Sequence, residues 1–566
     1  MNSEILSVII LFILTVMLAI PFGKYCAKVF KNEKTWLNFL SPVESFIFKV
    51  CGIDPNRAMD WKENVRALLV LNLIFFLLAM VILLTQSWHP FWNPDGISSM
   101  EPTTAFNTAV SFVTNTNLQH YSGETGASYL TQLVVFCFLQ FVSAATGIAI
   151  MASLFKGLAQ RQASDLGNFY NLFLKSCTRI LLPLAIVVAL LLSINGTPST
   201  FDGASQIVTL EGDTINVARG PVAPMVAIKQ LGTNGGGYFG PNSTHPFENP
   251  NYITNAVENF SILIIPMALV FAFGFYIRKP KVGYAFFGAM TFLFVTFVFI
   301  AVHFEMQGNP MIEKMGIDTS LGSMEGKEVR IGSAASAFWG ISTTSTSNGS
   351  VNSMHDSQTP ISGGIYTLDM MINAIYGGVG VGFINFFVFV IIAVFIAGLM
   401  VGRTPELFGK KIEAREVKIA ALVAILHPLL ILMGTAIASH IQSNQQDIGW
   451  LANPSYHGFS EMLYEFTSAA ANNGSGFEGL GDATPFWNIL CGLAMLFGRF
   501  IPIIGPLAIA GSLATKKYIP ESSGTLKVES LAFIAVLLSV IIIVAALSFF
   551  PALTLGPIAE YFSIHL

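Results

Sequence analysis

The sequence predicts an all-α polytopic membrane protein with ten transmembrane helices, eight of them arranged as four pseudo-symmetric helix–pore-loop–helix repeats. Three observations lead there. Of 566 residues, 53% are hydrophobic and only 11% charged, where soluble domains are nearer a quarter charged. Ten apolar runs are long enough to cross a hydrocarbon core of about 30 Å, which takes about 20 residues. Inside each of four successive pairs of runs lies a polar segment built on Asn and Gly. These are Thr114-Asn115-Thr116-Asn117, Thr233-Asn234-Gly235-Gly236-Gly237, Ser347-Asn348-Gly349-Ser350 and Asn472-Asn473-Gly474-Ser475.

The first run, 5–23, belongs to a first helix within 1–30. Glu4 precedes it and no Lys or Arg does. A secretory signal wants a basic lead and a small-residue cleavage site, so the run is read as a retained helix. The others fall at 66–86, 128–152, 177–195, 256–277, 283–303, 374–400, 417–438, 485–511 and 528–550. They group into repeats at 66–152, 177–277, 283–400 and 417–511, with a last helix at 528–550, in a single membrane domain over 1–566. Ahead of each polar segment sits a mildly apolar stretch too short to span: 103–113, 223–231, 334–344 and 459–469. Such stretches suit re-entrant half-helices, which exist at membrane depth only when buried in protein or lining a cavity. The long polar loops 196–222 and 304–333 are read as caps over the pore mouth.

Orientation follows from Lys and Arg, which collect on the cytoplasmic side. With the loop 24–66 in the cytoplasm, twenty-three of the twenty-nine basic residues share that side. The opposite side holds Arg219, Lys229, Lys314, Lys327 and Arg330, and Arg499 remains inside a span. This places both termini and all four Asn/Gly segments outside. A net charge of −4 gives no reason to expect a nucleic-acid partner. The five cysteines are scattered with no CxxC pair, which argues against a disulfide framework or a zinc site.

Taking Asn115, Gly235, Gly349 and Gly474 as equivalent, the segments recur at spacings of 120, 114 and 125 residues. Repetition at near-equal intervals implies fourfold pseudosymmetry about a shared axis. Four polar backbone segments meeting on one axis in a membrane make an ion selectivity filter, because backbone carbonyls replace the water around a dehydrated cation. Glycine permits the left-handed backbone that turns successive carbonyls inward. Each half-helix would aim its negative C-terminal end at the ion. One such segment alone is a surface turn; the inference rests on four, on one side, in one helical context. The candidate potassium-binding set is Thr114, Asn115, Thr116, Thr233, Asn234, Gly235, Ser347, Asn348, Gly349, Asn472, Asn473 and Gly474.

Glu124, Glu248, Asp356 and Glu478 follow the segments within 4 to 13 residues. They are either a carboxylate ring that concentrates cations or ordinary solvated loop acids. His120, His245 and His355 near three segments are read as neutral side chains at a water-facing mouth. Arg499 is either a charge on the ion path, the default for an intramembrane charge, or a structural Arg bonded to carbonyls. The run Tyr376-Gly377-Gly378-Val379-Gly380-Val381-Gly382 holds four glycines, each weakening a helix by about 1 kcal/mol relative to Ala. Gly377, Gly378, Gly380 and Gly382 therefore mark either a gating hinge or close helix packing. No catalytic residue is assigned. No GxxxxGK[ST] phosphate loop or DKTG-like phosphorylation motif occurs, so this chain is not expected to hydrolyse ATP.

The strings Phe112-Val113-Thr114-Asn115-Thr116-Asn117, Leu231-Gly232-Thr233-Asn234-Gly235-Gly236-Gly237, His245-Pro246-Phe247-Glu248-Asn249-Pro250, Val351-Asn352-Ser353-Met354-His355-Asp356-Ser357, Gly402-Arg403-Thr404-Pro405-Glu406 and Ala470-Ala471-Asn472-Asn473-Gly474-Ser475 resemble the potassium-binding, channel-like A subunit family of the bacterial Kdp potassium-transporting ATPase. The resemblance covers essentially the whole chain. It implies a potassium-channel-like fold of four repeats in the bacterial cytoplasmic (inner) membrane, and potassium as substrate at the filter. It implies no cofactor in this chain, a P-type ATPase catalytic partner (KdpB-like) that uses ATP, and small accessory membrane subunits (KdpC-like, KdpF-like), all in contact with membrane lipid. It carries filter function onto Asn115, Gly235, Gly349 and Gly474, a filter-adjacent role onto Gln119 and an intramembrane arginine onto Arg499. It also implies that the second helix of the third repeat is broken, with a loop that helps close the path below the filter. Two departures stand out: Ser347 precedes Asn348-Gly349 where some relatives have a Cys beside the glycine, and Asn115 stands where the other repeats have Gly.

Two other functions compete. A stand-alone potassium channel or ion-gradient-driven transporter with a regulatory partner differs only in its partners, so co-purification with a P-type ATPase chain decides. A lipid-modifying membrane enzyme needs a carboxylate or His cluster at the membrane face, which the sequence does not present.

Overall fold

The computed structural model describes residues 3–445, 448–520 and 527–565; the chain ends and their predicted location lie outside them. Among the described residues ten helices are long and apolar enough to cross a membrane: Ser3–Phe30, Trp61–Trp88, Thr131–Ala159, Phe169–Ile194, Tyr252–Tyr276, Pro280–Lys314, Val381–Met400, Ala414–Asn444, Pro485–Thr515 and Leu531–His565. Each coincides with one predicted run. Several extend past the apolar stretch because polar residues cap them. Asp60 accepts from the Glu63 N–H at 2.8 Å, and Asn251 accepts from Ile253 and Thr254. Such caps satisfy N–H groups that have no partner inside the helix.

Burial separates inner from outer helices. In the four pairs, the most apolar stretch of the second helix is 72, 83, 61 and 61% buried, against 28, 33, 44 and 28% for the first. The second helices therefore wrap the centre. The outer ones turn residues such as Leu73, Leu190, Phe299 and Leu429 outward, an apolar belt that fits lipid tails. The first helix packs along Tyr252–Tyr276, and the last one closes over the third and fourth pairs.

Between the helices of each pair runs a short pore helix: Pro102–Val113, Val222–Leu231, Ser333–Ser345 and Tyr456–Ala471. All four expected half-helices are present, a residue to a few longer. Most residues in them are buried, because each is surrounded by protein rather than lipid.

The third pair departs from the expected single run 374–400. Its second element is two helices, Pro360–Ile372 and Val381–Val401. Between them Asn373, Tyr376, Gly377 and Gly380 take left-handed conformations, with φ of 47, 56, 66 and 84°. Most of the glycines thus form a non-helical link rather than open a helix. Among the described residues are also two small antiparallel hairpins, Ser205–Val208 with Thr214–Val217 and Glu406–Leu407 with Lys410–Lys411.

Candidate functional site

Each pore helix ends in the same way. The N–H groups of Thr116, Asn234, Asn348 and Asn473 reach back five residues to the carbonyls of Ser111, Lys229, Thr343 and Ser468, at 2.9 Å in every case. The residue before each is left-handed, with φ of 63° at Asn115, 45° at Thr233, 48° at Ser347 and 53° at Asn472. The residue after each is left-handed too: Asn117 at 53°, Gly235 at 89°, Gly349 at 85° and Gly474 at 104°. Three independent markers therefore align Asn117, not Asn115, with the glycines. The predicted equivalence is off by two residues in the first repeat. Asn tolerates this conformation better than other residues with a side chain, which is how the first strand keeps the shape without Gly.

The four strands close a ring. A Cβ built on Gly235 would run into the carbonyl of Asn348, one on Gly349 into that of Asn473, and one on Gly474 into that of Thr116. Each glycine thus faces a carbonyl of the next strand, in the order second, third, fourth, first. Side chains brace the ring from behind. Asn234 Nδ2 donates to Asn115 Oδ1 at 2.6 Å, Asn348 Nδ2 to the Lys229 carbonyl at 3.1 Å and Asn473 Nδ2 to the Thr343 carbonyl at 2.8 Å. Asn472 Nδ2 donates to Thr116 Oγ1 at 2.9 Å. Asn115 reaches the second strand, donating to the Gly232 and Thr233 carbonyls at 3.1 and 2.9 Å and accepting from Ser143. Thr114 turns back onto the Val110 carbonyl. Gln119 exchanges a reciprocal pair with Gly237, at 3.0 and 2.8 Å, tying the first loop to the second. Above the ring lies a cavity of about 590 Å³ lined in part by Gln119, Asn242, Gly349, Gly474 and Asp482.

The link 373–380 lies beneath. Gly377 N–H donates to the Ser345 carbonyl at 2.8 Å, Val379 N–H to Thr233 Oγ1 at 2.9 Å, and Ser347 Oγ to Asn373 Oδ1 at 3.1 Å. Gly380 is pressed against the backbone of Gly147, and Gly377 against Gly382, so neither contact leaves room for a Cβ. Arg499 is 4% exposed and stands beside this link, close to Gly147 and Gly378. Its Nη2 has no hydrogen-bond partner among the described residues.

Sequence reasoning missed the support behind the second strand. Lys229, Glu248 and Glu258 are fully buried. Lys229 Nζ pairs with Glu248 and donates to Asn242 Oδ1 at 2.5 Å and Ser243 Oγ at 2.7 Å. Asn242 Nδ2 in turn donates to the Gly235 carbonyl at 2.5 Å. The string around Glu248 was visible, but nothing local says that it folds back onto Lys229.

Of the two readings of the four acids, the carboxylate ring is not the one seen. Glu248 points into the protein, Glu124 accepts from Gly240 N–H, Glu478 from the His355 and Asp356 N–H groups, and Asp356 pairs with His457. The histidines also differ from expectation, since two of the three are buried. His355 accepts or donates at Tyr464, and burial, with Lys327, pushes it down to about 3. Burial alone would lower His120, but Asp482 and Glu465 outweigh it and raise it to about 9. His245 stacks on Phe239 at 3.8 Å.

Residues 9–562 match the family profile described as KdpA, potassium-transporting ATPase A subunit. Two curated relatives, each a potassium-transporting ATPase potassium-binding subunit, come from Flavobacterium psychrophilum and Geobacillus kaustophilus. The first is 58% identical over 100% of both chains, the second 45% identical over 98% of both. Among solved structures, the potassium transporter TrkH from Vibrio parahaemolyticus is similar with a TM-score of 0.51, at 15% identity over 89% of this chain and 98% of that one. That last likeness is one of fold.

Proposed function

The chain belongs to the family of potassium-transporting ATPase A subunits, and from that premise we propose that its ring of four strands is the potassium selectivity filter of an ATP-driven uptake complex. The protein is the potassium-binding, non-hydrolytic member of that complex and a multi-pass membrane protein. The observation that carries the filter reading is the closed ring itself, in which side-chain amides are used for bracing and backbone carbonyls are left toward the neighbouring strand. Neutral carbonyls held by an outer scaffold hold a dehydrated cation strongly enough to select it and weakly enough to release it.

The ion enters through the cavity beside Gln119, sheds water at the ring and meets the negative ends of four pore helices. Below, the link with Gly377, Gly378, Gly380 and Gly382 crosses the path, and Arg499 adds a positive charge next to it. Together they form a barrier to straight passage, which a pump needs and an open channel does not. The filter set is the predicted one with Asn117 added. Ions arrive from the extracytoplasmic side of a bacterial inner membrane, with both termini on that side. The four repeats act as one membrane domain beside a KdpB-like P-type subunit that hydrolyses ATP and small KdpC-like and KdpF-like subunits.

The test is equilibrium binding of potassium to the purified protein, with competition by rubidium and sodium. Saturable binding that rubidium contests better than sodium is expected. Equal competition by sodium would overturn the filter.

A further inference from the structure

At the seam between the first and fourth repeats, three donor atoms of metal-binding type converge away from the filter axis, with Asp482 beside one of them. His120 follows Asn117 by three residues on the first strand. Glu465 is on the fourth pore helix, Asp482 on the loop after the fourth strand, and Cys491 on the helix Pro485–Thr515. His120 Nε2 lies 3.0 Å from Glu465 Oε1 and 3.9 Å from Asp482 Oδ2, and Cys491 Sγ lies 3.7 Å from Glu465 Oε1. The donor atoms of His120, Glu465 and Cys491 are all within 4.8 Å of one another. In a tetrahedral zinc site, bond lengths of about 2.0–2.3 Å set neighbouring ligand atoms roughly 3.3–3.7 Å apart. The His120–Glu465 and Cys491–Glu465 separations fall just below and at the top of that range.

The histidine is already oriented for the task. Its Nδ1 is 2.8 Å from Asn488 Oδ1. Asn488 Nδ2 donates to the Thr103 and Thr104 hydroxyls at 2.9 and 3.2 Å, which fixes its oxygen toward the ring. An amide oxygen only accepts, so Nδ1 carries the proton and Nε2 is the atom turned to the cluster. Metal-ligating histidines are held by this kind of outer hydrogen bond. The His120, Glu465 and Cys491 side chains are buried, while Asp482 is partly exposed and, with His120, lines the cavity above the filter. That cavity is the route in.

We propose that His120, Glu465 and Cys491, with Asp482 on the open side, form a binding site for a zinc-class divalent transition metal, which pins the outer end of the first filter strand to the fourth repeat. The donor set selects the class: a thiolate and an imidazole favour zinc over magnesium, calcium or potassium. The Cys491 thiol gives its proton to solvent as the thiolate bonds the metal, so binding releases a proton.

The experiment uses the full-length chain in the assembly with which it purifies, stripped with a chelator and titrated with cobalt(II) as the probe. Expected are one cobalt per chain, a near-ultraviolet thiolate-to-cobalt band, and its loss on adding zinc. Cys491→Ser preserves size and hydrogen bonding; it should abolish the band and weaken zinc binding by more than about tenfold. No thiolate band at saturating cobalt in the folded protein, or a band that persists in Cys491→Ser, would overturn the site. Neither readout depends on potassium transport, so the filter reading stands or falls separately.

Discussion

Gly235 and Gly349 are constrained twice, by a left-handed backbone and by a carbonyl of the next strand where a Cβ would sit. Gly235→Ser or Gly349→Ser must therefore move a carbonyl of the ring. Both variants should bind potassium more weakly and discriminate less against sodium; unchanged affinity and discrimination in both would remove the filter assignment. Asn117 has the backbone without the steric contact, so Asn117→Gly should keep uptake near normal. Behind the ring, Lys229→Met leaves Glu248 buried and unpaired, which costs about 3–5 kcal/mol. Thermal unfolding should show that loss, and Lys229→Met with Glu248→Gln should recover much of it, because removing both charges leaves none stranded. An uncoupled, additive pair would show that the two do not act together. The alternation of Asn with Gly was readable in the chain. The place of Asn117 was not: two Asn residues stand two apart in the first segment, and only the backbone hydrogen bond from Thr116 to Ser111 sets the register.

The ten spans and four half-helices were legible as elements because each is a long or bounded apolar run. The break at 373–380 was only half legible. Four glycines announced weakness there, but Tyr376 adopts a left-handed conformation that its own residue type does not favour. Contacts of Gly377, Asn373 and Val379 with Ser345, Ser347 and Thr233 hold the link. In the proposed reading Arg499 belongs to the same barrier, where its charge would act strongly because the surroundings have low dielectric. Arg499→Gln should leave a complex that assembles, yet alter potassium transported per ATP hydrolysed; Arg499→Lys should be milder, since the charge stays. The ratio is measured in detergent-stable mutant complex. Assembly with wild-type coupling would reject the path role, and failure to assemble would make Arg499 structural.

For the molecule as a whole, the proposed barrier below the filter implies that a bound ion needs a second event to move on. This chain has no nucleotide motif to supply it. The purified chain alone should hydrolyse no ATP, and potassium-stimulated, vanadate-sensitive hydrolysis should appear only with a P-type partner present. Uphill potassium uptake on ATP by this chain reconstituted alone would sink the subunit reading.

From the sequence alone came the membrane class, the count of spans, the pore helices and the fourfold recurrence of Asn and Gly, because hydrophobic length and local turn chemistry act over a few residues to a few tens of residues. Tertiary structure decided what depends on neighbours from other repeats. It set the first strand's register, turned Glu248 inward to Lys229, and placed the glycine link under the ring. It also buried His120 beside Glu465 and Cys491, residues hundreds of positions apart that no spacing rule connects. Those outcomes follow from which polar groups must find partners once helices close around them and water is excluded, and that is a property of the packed whole.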